Sequence, residues 1–225
     1  MDLRQRLVDA SQVVAGERLT DAFGHLSART DDGNVLITPR VGPGLVRGPG
    51  ELLLLSPEGE VLDGEAGLVP GETAIHLGVL RARPDVGGVC RFHGASCLAW
   101  SSLRRPLPAA VGFALFFGAE VPLHDVASTI TDAEGAGAMA AALGAGTGLL
   151  LRGFGAVTAG ASIEEAVVCA TWLERVASAA LAAGAVGEPQ AYPAEAAEAF
   201  LAREQVIAEQ TARAWTYLRA RWLSG

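Results

Sequence analysis

Short apolar segments of strand length alternate with helix-patterned ones along this chain, and glycine or proline closes almost every one, which leaves few architectures open. Residues 2–18 space Leu3, Leu7, Val13 and Val14 among polar positions, an opening amphipathic helix that ends near Gly16. Strands are predicted at 23–29, 34–38 and 52–56, bounded by turn chemistry such as Asp32-Gly33 and Pro57-Glu58-Gly59, with 59–64 as the return of a hairpin. Pro70-Gly71-Glu72-Thr73 opens a helix to about Arg83, and Pro84 stops it. A strand at 86–92 and a helix at about 94–103 follow, then an alanine-rich helix from Thr131, read as its N-cap, to Leu143. Strands at 147–152 and 155–159 precede a helix over Ser162–Ala183 and a C-terminal helix from about Pro193 to Leu223. With 225 residues, half of them hydrophobic, and no linker-like run, the pattern predicts a single α/β domain over 1–225. Its sheet is expected to be mixed or mainly antiparallel and flanked by helices.

Charge and composition exclude several chemistries. A formal net charge of -8 with no basic stripe argues against a nucleic-acid partner. No run of 18 uncharged apolar residues occurs and no signal-like segment follows the N-terminus, so a cytoplasmic protein without a membrane partner is expected. Cys90, Cys97 and Cys169 form an odd set with no CxxC pair and read as buried thiols. All 17 basic residues are arginine, so Schiff-base chemistry through a lysine is ruled out. Carbonyl or carbanion chemistry here needs a metal, an arginine or hydrogen-bond donors.

Four strings then occur in a telling order: Asp21-Ala22-Phe23-Gly24-His25-Leu26-Ser27-Ala28-Arg29, Gly71-Glu72-Thr73-Ala74-Ile75-His76, Ala82-Arg83-Pro84-Asp85-Val86 and Leu150-Leu151-Arg152-Gly153-Phe154-Gly155. In register, from about residue 3 to 220, they resemble the class II aldolase/adducin family. The Ala-Phe-Gly-His-x-Ser form is nearer the branch with aromatic-acid decarboxylase-like members than the sugar-phosphate aldolases, which carry Ser-Gly-Asn-x-Ser at that place.

The resemblance implies a divalent cation held by His-x-His at a strand end and a third histidine in an Arg/Asn-His-Gly turn, with open positions for substrate oxygens. Here the first motif reads Arg91-Phe92-His93 and the third position is Phe154, so His93 alone matches a ligand position. Phenylalanine has no lone pair, and a guanidinium repels a dication. The expectation is therefore no cofactor, with a metal site rebuilt through His25, His76 or His124 as the lesser alternative. Unaided by the family, His76 reads as packing within its helix and His124 as bonding to Asp125. Arg91 either supplies positive charge where the cation sits in the family or fills the void and pairs with an acid. Glu72 matches the family's acid/base glutamate, although a carboxylate at a helix start is also favoured by the helix dipole.

The implied catalytic set is thus Glu72, Arg91 and His93. His25 lies in the family's anion-binding loop, and Thr38-Pro39-Arg40-Val41-Gly42-Pro43-Gly44 matches its phosphate or carboxylate loop. The implied substrate contacts are His25, Ser27, Thr38 and Arg40, with Phe92 and Phe154 as an apolar wall. Phe116 and Phe117 could join that wall or fill the pocket. One reading is a lyase of decarboxylase or aldolase type acting beside a carbonyl or carboxylate of a small anionic, aromatic-compatible substrate. A metal-independent dehydratase, isomerase or cyclase would use the same groups. A non-catalytic adducin-like binding domain stands against both. The resemblance also implies a homotetramer with sites at subunit boundaries, and the aromatic, basic segment Trp215–Trp222 is a candidate cover for the pocket or a subunit contact.

Overall fold

The computed structural model describes residues 2–223. Ten strands and seven α-helices alternate in the expected manner. The first half contains α1 (Leu3–Gly16), β1 (His25–Arg29), β2 (Val35–Ile37), β3 (Leu53–Leu55), β4 (Val61–Asp63), α2 (Thr73–Ala82), β5 (Gly88–Phe92) and α3 (Ala95–Ser101). The second contains β6 (Leu107–Pro108), β7 (Glu120–Val121), β8 (Leu123–His124), α4 (Ala133–Leu143), β9 (Gly148–Leu151), β10 (Gly155–Gly160), α5 (Ile163–Gly184), α6 (Ala194–Leu201) and α7 (Glu204–Leu223). Eight strands form one sheet in the order β4-β3-β2-β1-β5-β10-β9-β8, antiparallel throughout except for the parallel pair β8 and β9. β6 and β7 pair as a separate ribbon.

Helices cover both faces of this sheet, which is why β2, β3 and β9 read as unbroken apolar runs, Val-Leu-Ile, Leu-Leu-Leu and Gly-Leu-Leu-Leu. On one face, Leu26, Cys90, Phe92 and Ala156 pack with α1, α3 and α5 through Leu7, Trp100, Val168 and Leu173. On the other, Val89, Leu149 and Val157 pack with α2 and α4 through Ile75, Val79, Met139 and Leu143. An eighteen-residue window of α5 has a mean hydropathy of 1.4, enough by length and composition to cross a bilayer, yet most of that window is buried within this fold.

The structure corrects the sequence expectations at three places. The N-cap of α4 is Asp132, whose carboxylate accepts from the Gly135 amide, and not Thr131. The C-terminal helix is two helices: α6 ends at Leu201, and Phe200 packs edge-to-face on Phe116 with ring centroids 4.8 Å apart. α7 then lies on α1, with Arg219 on Asp9 and both Arg221 and the Trp222 indole on Glu17. Trp215 and Trp222 therefore pack on the body of the protomer and do not line the cleft described below. The third correction is the group of two-residue strands β6, β7 and β8, too short to carry a periodic signal.

One glycine holds the turn between β9 and β10 beside the site. Gly155 has φ +88°, and a Cβ there would run into the Phe92 carbonyl and the His93 backbone. Gly155→Ala is expected to cost about 1–3 kcal/mol of stability. A thermal melt checks this, and an unchanged midpoint would mean that the turn relaxes freely.

Candidate active site

Strand alternation assembles the site. In β1, His25, Ser27 and Arg29 point to the α2 side while Leu26 and Ala28 enter the opposite core. His25 sits opposite Arg91 in the antiparallel pairing of β1 with β5, so the two share a face. α2 lies over them, its direction fixed by Arg29, whose guanidinium donates to the Leu80 and Arg83 carbonyls at the helix end. Glu72 occupies the N-cap position of α2 and His76 follows one turn later.

These elements enclose a cleft of about 340 Å³ lined by Phe23, Gly24, His25, Arg40, Val41, Glu72, His93, Thr129 and Phe154, among others. A larger cleft of about 800 Å³ on the outer side of α2 and α4 is walled mostly by alanine and glycine and holds none of the candidate residues. The Glu72 carboxylate is held on two sides. Oε1 accepts from the Ile130 amide at 3.3 Å, and Oε2 lies 3.4 Å from Arg91 Nη2 and 4.0 Å from His25 Nε2.

Arg91 is fully buried beneath the cleft and does not line it. Its Nη1 donates to the Phe92 carbonyl at 2.8 Å and the Phe154 carbonyl at 2.7 Å, while Nε and Nη2 have no hydrogen-bond partner among the described residues. The two-pronged grip on a substrate oxygen expected of Arg91 is therefore not presented: the fork is turned to backbone carbonyls and to Glu72. Burial pulls its pKa down and the Glu72 charge opposes that pull. Arg91 has a carboxylate beside it, and its charge reaches the cleft through Glu72.

Ser27, Thr38 and Phe92 also stand behind the lining. Ser27 is buried on His76, its Oγ 2.6 Å from Nδ1. Thr38 Oγ1 accepts from the Leu26 amide. Phe92 faces the α1 and α5 core because it follows Arg91 by one residue in a strand. Phe116 sits against Trp172 in the same core. Arg40 lines the cleft and donates to the Gly67 carbonyl at 3.3 Å. Phe154 lines it as expected. Phe23, 70% exposed, meets the His93 ring edge-on with centroids 6.5 Å apart, a wall residue the sequence reading missed. His124 lies outside this lining.

The imidazoles are held neutral. Burial, then the Arg91 charge, brings His76 down to about 3, and the same two causes bring His93 to about 4 against the pull of Asp21. His25 is pushed well below 6.5 by burial and by His76, Arg91 and His93. A depressed folded value means stability that is complete above the unfolded value near 6.5 and is lost as pH falls toward the folded one. His25, His76 and His93 act in the same sense, and each is expected to remove up to about 1.4 kcal/mol of stability per pH unit below about pH 6. Urea midpoints measured from neutral pH to about pH 5 read this slope, and flat midpoints would remove the depressed values.

Among the described residues, no group of three or more His, Cys, Asp or Glu side chains is arranged to hold a metal ion. The donor set does not fit a divalent cation in the geometry the resemblance implies. A buried guanidinium stands at one ligand position and a phenyl ring at another.

The profile described as Class II Aldolase and Adducin N-terminal domain matches residues 5–181. The 3,4-dihydroxyphthalate decarboxylase of Terrabacter sp. (strain DBF63) is 32% identical over 218 residues, 85% of this chain and 86% of that protein. The L-fuculose phosphate aldolase of Escherichia coli is 29% identical over 167 residues, 74% of this chain and 76% of that one. Among solved structures, L-fuculose 1-phosphate aldolase from Glaciozyma antarctica PI12 matches with a TM-score of 0.82 at 27% identity, over 96% of this chain and 88% of that one.

Proposed function

Because this chain belongs to the class II aldolase and adducin family, nearer its aromatic-acid decarboxylases, we propose that its lyase-type activity is the decarboxylation of a small hydroxylated aromatic acid without a divalent metal. The observation that carries this reading is the Glu72 carboxylate, lining the cleft between a buried guanidinium, the Ile130 amide and neutral imidazoles. Among the described residues Glu72 is the one carboxylate lining the cleft, against Arg40 on its wall and Arg91 beneath, a balance that favours an anionic substrate. Phe23, Val41 and Phe154 give a flat ring an apolar surface.

In the reaction, the Glu72 carboxylate takes the proton of a ring hydroxyl ortho or para to the departing carboxylate and delivers it to the ring carbon that bears that carboxylate, leaving a dienone. The bond between that carbon and the carboxylate then breaks, carbon dioxide leaves, and the electron pair restores the aromatic ring with the oxygen as a phenolate, which takes a proton from water. The positive charge of Arg91, in surroundings of low polarity, reduces the cost of the negative charge that develops. No step passes through a metal. Retro-aldol cleavage would use the same proton and the same charge, and a filled, non-catalytic pocket is disfavoured by the open cleft beside Glu72 and His93.

The test is turnover of 3,4-dihydroxyphthalate and of L-fuculose 1-phosphate by the purified, untagged protein, alongside metal content by mass spectrometry before and after incubation with zinc, manganese and iron(II) followed by desalting. Carbon dioxide release from the first substrate with no stoichiometric metal supports the reading. A retained metal with aldol cleavage overturns it. A homotetramer with sites at subunit boundaries completes the proposal. The exposed Phe23 at the cleft is the surface a neighbour would cover, and a monomer by light scattering would remove this part.

A further inference from the structure

We propose that Ser27 and His76 form a buried relay that fixes His25 in its Nε2–H tautomer, making His25 a preset hydrogen-bond donor into the cleft; this rests on the cleft being a lyase site. Three side chains form a continuous line. Ser27 Oγ lies 2.6 Å from His76 Nδ1, and His76 Nε2 lies 2.6 Å from His25 Nδ1. Ser27 and His76 are fully buried and His25 nearly so. The one remaining ring nitrogen, His25 Nε2, stands 4.0 Å from Glu72 Oε2, and the His25 residue lines the cleft.

The proton positions along this line follow from which groups can go unpaired. Ser27 Oγ has no second partner among the described residues. If His76 Nδ1 donated to it, the hydroxyl proton would be left buried without an acceptor, the costlier kind of unmade bond. If the hydroxyl donates, only an oxygen lone pair is left over. The hydroxyl therefore donates to His76 Nδ1. A neutral imidazole carries one proton, so that of His76 is on Nε2 and is donated to His25 Nδ1. The His25 proton is then on Nε2, on the Glu72 side. Protonation of either ring would force the line to reverse, and burial beside the Arg91 charge opposes it.

In this state His25 is a donor to an oxygen gaining negative charge, and it cannot act as a base. Ser27 and His76 are positioning residues that act through it. Loss of one preorganised donor of this kind typically costs about 10²–10³ in turnover. His76→Gln, whose amide can donate to or accept from His25 Nδ1 and so frees His25 to adopt either tautomer, is expected to lose about tenfold or more in kcat with 3,4-dihydroxyphthalate while KM changes little.

The deciding experiment is nitrogen-15 NMR of the full chain labelled at histidine, with a His25→Gln variant to assign the signals. Protonated Nε2 and bare Nδ1 on both His25 and His76, with a mixture of His25 tautomers in His76→Gln, is the expected result. A proton on His25 Nδ1 in the unmodified protein overturns the proposal whatever the activity. Unchanged kcat in His76→Gln overturns the positioning role even if the tautomer is as stated. Should the unmodified protein turn over neither substrate, the functional reading fails separately, and the NMR result still decides the tautomer.

Discussion

Arg91→Lys is expected to lower turnover at least a hundredfold while leaving the circular dichroism of the protein unchanged. The guanidinium does three things from one buried position. It donates from Nη1 to two backbone carbonyls, holds Nη2 3.4 Å from Glu72, and carries a charge that burial does not extinguish. An ammonium is a single point on a flexible stem, so reaching the Phe92 and Phe154 carbonyls takes it away from Glu72. A fully buried lysine also tends to lose its proton, which would leave Glu72 without its cation. Arg91→Met removes the charge altogether, and a half-broken buried pair costs about 3 kcal/mol. Decarboxylation rates for Arg91→Lys and unfolding midpoints for Arg91→Met separate the two effects. Full activity in the lysine variant would falsify the claim that the fork geometry matters.

Glu72→Gln is expected to reduce kcat by about 10²–10⁴, the usual share of a general acid or base, with KM altered only a few-fold. The amide also disturbs the fold in a defined way. Its oxygen can accept from Ile130 or face Arg91, and whichever it serves, the amide nitrogen meets a donor at the other. The accompanying loss of stability is expected at about 1–3 kcal/mol, read from urea unfolding. A variant that turns over at the unmodified rate would take Glu72 out of the mechanism, whatever its stability.

The parts of this architecture that could be read from sequence are those with punctuation. Pro84, Gly153 and the Ser-Ile-Glu-Glu start placed α2, β9, β10 and α5 within a few residues of their observed bounds. The break between α6 and α7 falls at Ala202-Arg203, where neither glycine nor proline marks it. What bends the chain there is tertiary, Phe200 on Phe116 and α7 on α1, and local propensity has no view of such contacts. β8 was invisible for a similar reason, since two residues beside a parallel partner have no period.

The site was legible in its residues more than in its layers. Glu72 and His93 share a cleft, with Arg91 beneath it, but sequence position alone could not say which side chains face the cleft and which stand behind it. Alternation in β5 separates Phe92 from Arg91, a separation that the period of two in any strand already implies. His76 offered a signal too, one turn after Glu72, yet its use depends on the α2 helix crossing over Ser27, a fact of packing. Phe23 had no signal: its exposure follows from the turn at Gly24, with φ +106°, between α1 and β1.

The clasp of α7 on α1 sets the order of events while the chain is being made. Arg219 and Asp9 are 210 positions apart in sequence, so the first helix leaves the ribosome long before its cover exists. At common synthesis rates that interval is roughly 10–40 s, far longer than a helix or hairpin needs to form. Nascent chains must carry α1 with Asp9 and Glu17 lacking their α7 partners and Gly16 uncovered by Trp222. The fastening of α7 onto α1 therefore waits until nearly the whole of this domain has been made.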